Sequence, residues 1–215
     1  MTESTTVFRR YTDLASLLDM LRRGAITLLR PDTWDDRNDR LMMKTYADCL
    51  ELKTLLALCL TSRGETYHHW KVFTDKSNGV CIHFRRDEFK RAMRAAGVRV
   101  EKVEYLKLEQ LVADEHPIET LPFLKRFGFG DEGEYRAVYK NKAAEDHLKQ
   151  VKIDLSIIER ISLNPWMPKS VFESVRATIE AQRQGATFTV NHSSLIDNQR
   201  WRQFAAQYEK KASPN

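Results

Sequence analysis

A leucine-striped helix between two short apolar strands opens the chain, and this order limits the folds that are available to it. The leucines of residues 14–21 recur at helical spacing, with Thr12 or Asp13 as the cap and Gly24 as the stop. The flanking strands are predicted at residues 7–11 and 25–29. The chain therefore begins with a strand, a helix and a second strand.

Similar patterns continue to the end of the chain. Alternating apolar residues predict strands at residues 79–84, 134–139 and 188–190, and helical spacing predicts helices at 168–183 and 198–208. Residues 106–127 are expected to be mostly helical, with breaks near His116-Pro117 and at Leu121-Pro122. No glycine-rich phosphate loop follows a strand, which disfavours a doubly wound nucleotide-binding fold. We expect one α+β domain over residues 7–208 with a mixed or mostly antiparallel sheet, and flexible tails at 1–6 and 209–215.

Composition excludes several protein classes. Hydrophobic residues make up 42% of the 215 and charged residues 30%, so the chain is neither disordered nor low in complexity. No apolar run approaches the ~20 residues of a membrane span, and the first residues lack the order of a secretory signal. A cytoplasmic protein without a membrane partner is expected. The cysteines and histidines show no metal-ligand spacing, so no metal is expected.

The net charge of +5 has an uneven distribution. Residues 1–100 hold 18 Lys and Arg against 13 Asp and Glu, so the whole excess lies in this half. A helix after the strand at residues 79–84 would align Arg86, Lys90 and Arg94 on one face. Such a patch can bind nucleic acid or a phosphate-bearing ligand, and it can equally be a solvated helix surface.

Two carboxylates and an arginine alternate just after a glycine-rich turn. On a strand, Glu132, Glu134 and Arg136 would project to one face. The arginine can hold one acid ionised while the other accepts a proton or stabilises a developing cation. The alternative is a structural ion pair at a strand edge.

A dense aromatic segment lies midway along the chain. Tyr67, His69 and Trp70 are candidates for stacking a flat ring such as nicotinamide or a base, and His69 can titrate near neutral pH. The alternative is that Trp70 and Phe73 fix a helix to the core.

Two further clusters are candidates for binding. Arg9, Arg10 and Tyr11 lie on the first strand, where the planar arginine fork suits a phosphate-bearing ligand. Carboxylates also surround Trp34 in residues 34–39 and could bind a divalent cation. Their spacing matches no calcium loop, so an aspartate-rich turn is the simpler interpretation of this segment.

Taken together, these segments resemble the bacterial domain-of-unknown-function family numbered 2971. The resemblance spans about residues 7–180 and is carried by Phe8-Arg9-Arg10-Tyr11 with the following helix and residues 24–28, Trp34-Asp35-Asp36-Arg37-Asn38-Asp39, residues 59–62, 70–73, 79–84 and 103–105, and Glu132-Gly133-Glu134-Tyr135-Arg136. The chain departs from the family at residues 34–37, where the family has Phe-Asn-Asp-Pro, and at Phe73, where it has tyrosine.

The order of these clusters also looks like that of ADP-ribosyltransferases in general, and that resemblance implies roles. Arg9 or Arg10 would hold the diphosphate of NAD, Tyr67 or Trp70 would stack on nicotinamide, and Glu134 would be the catalytic carboxylate. The implied enzyme consumes NAD as a substrate and modifies a protein or a nucleic acid.

Two other functions remain open at the level of sequence. One is a non-catalytic module that binds nucleic acid or a phosphorylated partner through residues 85–99. The other is a metal-dependent nuclease built from Asp35, Asp36, Asp39 and Glu134.

Overall fold

The computed structural model describes residues 6–74, 76–112 and 116–212. The described strands are β1 (Val7–Asp13), β2 (Ala25–Leu29), β3 (Thr54–Thr61), β4 (Gly79–Arg85), β5 (Arg99–Lys102), β6 (Glu104–Leu106), β7 (Leu124–Arg126), β8 (Glu134–Asn141), β9 (Leu148–Lys152), β10 (Ile158–Leu163) and β11 (Thr189–His192). The described α-helices are α1 (Leu14–Arg23), α2 (Arg37–Cys49), α3 (Tyr67–Phe73), α4 (Arg86–Ala95), α5 (Lys169–Ala181) and α6 (Gln199–Ala212).

One sheet contains most of these strands. Its main path is β11-β10-β4-β1-β3-β2-β9, and β8 pairs with β3 on one side and β5 on the other. Its pairs are antiparallel except β10 with β11, while β6 and β7 form a separate parallel pair. The α+β class, with a single domain and a mostly antiparallel mixed sheet, is confirmed.

The first helix begins and ends as its sequence indicates. The Asp13 carboxylate accepts a hydrogen bond from the Ser16 backbone N–H at 2.8 Å, which satisfies one of the unpaired donors of the first turn. Gly24 ends the helix at φ +57°, a left-handed conformation that glycine adopts without a Cβ clash. α1 thereby places β1 and β2 along the same edge of β3.

The sheet has an apolar face and a polar face. On the apolar face Phe8, Leu60 and Tyr135 belong to the main hydrophobic core, against which α4 packs Phe89 and Met93. Adjacent residues project to the other face because side chains alternate along a strand. Arg9, Thr61 and Glu134 form one row on that face, since Arg9 pairs with Thr61 and Thr61 with Glu134. The same alternation therefore places apolar side chains in the core and the charged side chains together on the other face, where Glu134 is still buried.

β1 and β3 separate soon after they meet. They share only the pair Arg9–Thr61, although they contain seven and eight residues. The Arg10 side chain donates from Nη1 to the backbone carbonyl of Cys59 at 3.4 Å, next to the point where the strands diverge. The separation opens a space in the sheet beside both arginines.

The helical expectation for residues 106–127 is wrong for the residues that the structure describes. They form short 3-10 turns at Leu108–Gln110 and Ile118–Phe123, followed by β7. The breaks are predicted at Pro117 and Pro122, but the segment that they interrupt forms a 3-10 turn instead of an α-helix, because each proline lacks a backbone N–H donor and restricts the residue before it.

The ends of the chain extend the described fold slightly. α6 runs to Ala212, past residue 208 where the domain was predicted to end, and the Thr6 carbonyl accepts from Arg86 N–H at 2.9 Å. Residues 1–5 and 213–215 of the predicted tails lie outside the described part of the chain. None of the described helices is long and apolar enough to cross a bilayer.

Candidate functional site

A cavity of about 400 Å³ lies where β1 and β3 diverge. This volume falls in the range of small-molecule sites. Its lining residues come from strands, turns, α2 and α3, and they are Arg9, Arg10, Tyr11, Thr33, Trp34, Asp35, Asp36, Asp39, Cys59, Leu60, Thr61, Val72, Phe73, Lys125, Phe129, Glu132 and Glu134. The cavity therefore joins the arginines of the first strand to the two glutamates that the sequence singled out.

The side of the cavity formed by β1 is cationic, and one of its arginines has an unsatisfied hydrogen-bond donor. Arg9 donates from Nη1 to the Arg63 carbonyl oxygen at 2.7 Å. Its Nε is buried and has no hydrogen-bond partner among the described residues. A buried donor without a partner is costly, and a ligand oxygen would remove that cost. Arg9 is therefore suited to bind an anionic ligand.

The side of the cavity that holds the glutamates is built around a fully buried arginine. Arg136 Nε lies 2.8 Å from Glu134 Oε1, and its Nη2 lies 3.0 Å from Glu134 Oε2 and 2.6 Å from Asp39 Oδ2. Its Nη1 donates to the Pro122 carbonyl at 3.0 Å, and the Trp34 ring lies 5.0 Å from the guanidinium carbon. Arg136 therefore fixes Glu134 and does not line the cavity itself.

Lys125 is the second cation of this wall. Its Nζ lies 2.5 Å from Glu132 Oε2, 3.2 Å from Glu134 Oε2 and 3.4 Å from Asp39 Oδ2. Burial opposes its charge, but the adjacent carboxylates outweigh burial and raise the pKa of Lys125. When all five groups are ionised, three carboxylates face two cations. This side of the cavity then carries one net negative charge, and Arg9 and Arg10 line the same cavity.

The two glutamates have opposite pKa shifts. Burial disfavours ionisation of Glu134, but the charge and hydrogen bonds of Arg136 outweigh it and lower the pKa of Glu134 to about 2. Burial raises the pKa of Glu132, and the hydrogen bond and charge of Lys125 oppose that shift only in part. Glu134 is thus held ionised, while Glu132 can exchange a proton nearer to neutral pH.

A left-handed glycine separates the two glutamates. Glu132 ends a 3-10 helix (Phe127–Glu132) instead of lying on the strand with Glu134, because Gly133 turns the chain at φ +53°. A Cβ at Gly133 would also collide with the Arg63 side chain. The turn brings both carboxylates to the same cavity from different elements.

Three residues predicted to stack on a ligand are not among the residues that line the cavity. Tyr67 is 58% exposed and contacts Trp166, with 5.4 Å between ring centroids. Trp70 is buried and donates from Nε1 to Glu65 at 2.6 Å. His69 is buried beneath Tyr11, with 5.3 Å between their nearly parallel rings, and burial lowers its pKa. His69 and Trp70 thus support Tyr11, which does line the cavity.

The predicted basic patch lies away from this cavity on α4. Arg86 donates to the Tyr135 hydroxyl at 2.6 Å, and Arg86 and Lys90 both lie over the rings of Phe8 and Tyr135. Arg94 is exposed and, with Lys90, lines a separate pocket. The binding hypothesis for these residues stays a prediction.

Sequence reasoning missed two cavity residues, one on β7 and one in the 3-10 helix that follows it. Lys125 and Phe129 lie in a segment that was expected to be helical or a simple turn, and Lys125 Nζ lies 4.7 Å from the centre of the Phe129 ring. Asp39 was placed in a candidate cation site, but the structure pairs it with Arg136 and Lys125. Only tertiary pairing brings these residues together, so no local pattern signals them.

The carboxylates do not gather into a metal site. Of the described residues, no group of three or more His, Cys, Asp or Glu is arranged to hold a metal ion. Asp39 and Glu134 instead contact the two buried cations. This arrangement disfavours the nuclease hypothesis, which needs those oxygens as ligands.

Comparisons with known proteins give a structural likeness without a sequence family. No family model and no curated protein sequence matches the chain, so the resemblance to the family numbered 2971 is not confirmed. Solved structures that it is similar to include DarT of Thermus sp. 2.9 in complex with NAD+, at 15% identity and a TM-score of 0.44, covering 90% of this chain and 98% of that chain.

The same Thermus protein in complex with ADP-ribosylated ssDNA is similar at 13% identity and a TM-score of 0.44, covering 88% of this chain and 94% of that one. Its complex with carba-NAD+ gives 14% identity and a TM-score of 0.43, covering 89% and 97%. A likeness at this identity and TM-score does not establish a function for this chain.

Proposed function

We propose that the protein is an NAD-consuming ADP-ribosyltransferase that modifies a protein or a nucleic acid. The observation that carries the proposal is the single cavity that joins Arg9 and Arg10 on one wall to Glu132 and Glu134 on the other. A dinucleotide needs cations at its diphosphate and a negative charge at the ribosyl carbon when nicotinamide leaves. The two walls supply these charges.

In the proposed reaction, the bond between C1′ of the nicotinamide ribose and the ring nitrogen breaks, and nicotinamide leaves with the bonding electron pair. The ribosyl group then carries positive charge, which the ionised Glu134 stabilises. The acceptor atom forms the new bond to C1′ and gives up its proton. Glu132, whose pKa is raised, accepts that proton.

Arg9 and Arg10 have binding roles in this scheme. The unsatisfied Nε of Arg9 provides a donor for a phosphate oxygen, and Arg10 is already fixed by the Cys59 carbonyl. A preorganised arginine loses little side-chain freedom when the ligand arrives. Tyr11 and Phe73 add aromatic surface to the cavity, and His69 lies against both rings.

Nicotinamide release from NAD by the purified protein tests the proposal. We expect release by the wild type and a loss of about a hundredfold or more in Glu134→Gln, as for other preorganised charges at a reacting centre. Thermal unfolding of both proteins separates lost catalysis from lost folding, because Glu134 also contacts buried Arg136. No release by the wild type, with no NAD-induced stabilisation, would contradict the proposal.

A further inference from the structure

A second, larger cavity adjoins the proposed transfer site. It has a volume of about 620 Å³, and its walls are mainly aliphatic. They include Met42, Leu106, Leu108, Leu111, Leu121 and Leu124. Asp36, Asp39 and Lys125 belong to the linings of both cavities. These three charged residues therefore separate a molecule bound in this aliphatic groove from the cavity that contains Glu134.

The aliphatic groove is open to water. Leu108 is 68% exposed and Leu111 is 59% exposed, and Leu41 and Val112 on the same groove are also exposed. Exposed apolar residues that gather in one groove mark binding sites more often than exposed apolar residues scattered singly over a surface do. The groove is thus a candidate binding surface in its own right.

The chemistry of the groove favours a polypeptide over a nucleic acid. The described lining residues include no Phe, Tyr or Trp and a single imidazole, His116, whereas single-stranded nucleic acids are bound by stacking successive bases on several rings along a cationic track. The cations Lys125 and Arg126 are matched by carboxylates, since Arg126 Nη2 lies 3.4 Å from Asp36 and Lys125 contacts Asp39. An aliphatic pocket with a charge-balanced rim complements an aliphatic side chain and its polar backbone.

We infer that the aliphatic groove docks a Leu, Ile, Val or Met side chain of a polypeptide acceptor. This inference rests on the proposed function, because the docked side chain would hold a nearby acceptor residue beside Glu132 and Glu134. The groove supplies selectivity for the acceptor, and the smaller cavity supplies the chemistry.

Binding of peptide pools tests the groove without any reaction. The probes are fluorescent pools of short peptides, each randomised except for one central residue fixed as Leu, Phe, Asp or Lys. We expect the wild type to prefer the Leu pool, and we expect Leu108→Glu/Leu111→Glu to weaken that binding by about tenfold or more, because a charge then faces the apolar ligand. Both leucines are largely exposed, so the variant is expected to fold.

Val171→Glu is the matched control, because Val171 is an exposed apolar residue of α5 that does not line the groove. It should bind the Leu pool as the wild type does. Equal binding of the Leu pool by all three proteins would overturn the inference. So would a single-stranded oligothymidylate that binds the wild type more tightly than any pool and loses affinity in the double variant.

A transfer assay separates this inference from the proposed function. With NAD present, the ratio of ADP-ribosylated peptide to released nicotinamide should fall in the double variant and stay unchanged in Val171→Glu. If the wild type releases no nicotinamide, the proposed function fails while the binding assay still decides whether the groove docks peptides. If nicotinamide is released but no pool binds, the docking inference alone fails.

Discussion

Arg9 and Glu134 are linked through one residue of the sheet, because Thr61 is the register partner of both. Their side chains project from the same face, two strand spacings apart, which corresponds to about 10 Å between backbones. The cation and the carboxylate of the proposed reaction are therefore positioned by the sheet register instead of by flexible loops.

The lowered pKa of Glu134 predicts a pH-dependent contribution to stability. A depressed carboxyl pKa stabilises the fold above the unfolded pKa, and this contribution is lost as the pH falls through the folded pKa of about 2. The shift from the ordinary 4.5 corresponds to about 3 kcal/mol. We expect the unfolding free energy of the wild type to exceed that of Glu134→Gln by this amount at neutral pH.

Urea unfolding of both proteins between pH 7 and pH 2 measures the difference, which should shrink as the pH falls below about 4.5. Glu173→Gln is a control, because Glu173 forms an exposed ion pair with Arg176 and should change stability little at any pH. A difference between wild type and Glu134→Gln that stayed constant over this range would show that the ionised carboxylate is not the source.

Arg9→Gln should weaken NAD binding while leaving the fold intact. Loss of charge-assisted hydrogen bonds worth about 1.5–3 kcal/mol corresponds to a loss of roughly ten- to a hundredfold in affinity. Calorimetric titration with NAD measures it, and Arg94→Gln serves as the control because Arg94 lies on α4 outside the cavity. Equal losses of affinity in the two variants would contradict a specific role for Arg9. They would indicate that the positive charge of α4 contributes to NAD binding as much as the cavity does.

Trp70 and Phe73 should respond differently to substitution. Trp70→Phe removes the indole N–H that donates to half-buried Glu65. This substitution is expected to lower the unfolding free energy by about 1–3 kcal/mol and to leave KM for NAD unchanged. Phe73→Ala removes a ring that lines the cavity and should raise KM. Urea unfolding and initial rates of nicotinamide release distinguish them. A raised KM in folded Trp70→Phe would restore Trp70 as the stacking residue.

Lys125 should set the acid limb of the pH–rate profile. Burial raises the pKa of Glu132 and Lys125 opposes that shift, so Lys125→Met should raise this pKa further. Because Glu132 must be ionised to accept a proton, the acid limb of transfer should move to higher pH. Rates of ADP-ribosyl transfer to the acceptor, measured across pH, test this, with Arg126→Met as the control because Arg126 contacts Asp36 instead. If the acid limb of Lys125→Met lies at the same pH as that of the wild type, Glu132 is not the base.

The sequence predicted the elements whose signals are local. The first helix has its cap at Asp13 and its stop at Gly24, and the strand with Glu134 and Arg136 alternates as expected. The segment at residues 106–127 was mispredicted because its apolar residues follow neither the helical period of about 3.6 nor the strand period of about 2 clearly. Local sequence patterns therefore predict the regular helices and strands better than the irregular segments that connect them.

The site was only partly accessible to the same reasoning. Arg9, Arg10, Tyr11, Glu132 and Glu134 line one cavity, while Trp70 and Tyr67 do not. An aromatic residue looks the same in sequence whether it stacks on a ligand or supports the ring that does. Lys125 and Asp39 meet Glu134 from distant segments, so their involvement depends on pairing that no single segment encodes.

The early divergence of β1 from β3 also limits how stable this sheet can become. Closing the gap would add backbone ladder bonds and release Arg10 from the Cys59 carbonyl, but it would fill the space between the two charged walls. Substitutions selected for thermal stability alone should therefore tend to close the sheet here and remove the cavity. The fold therefore lacks several backbone hydrogen bonds between β1 and β3, because a complete ladder there would leave no room for the cavity.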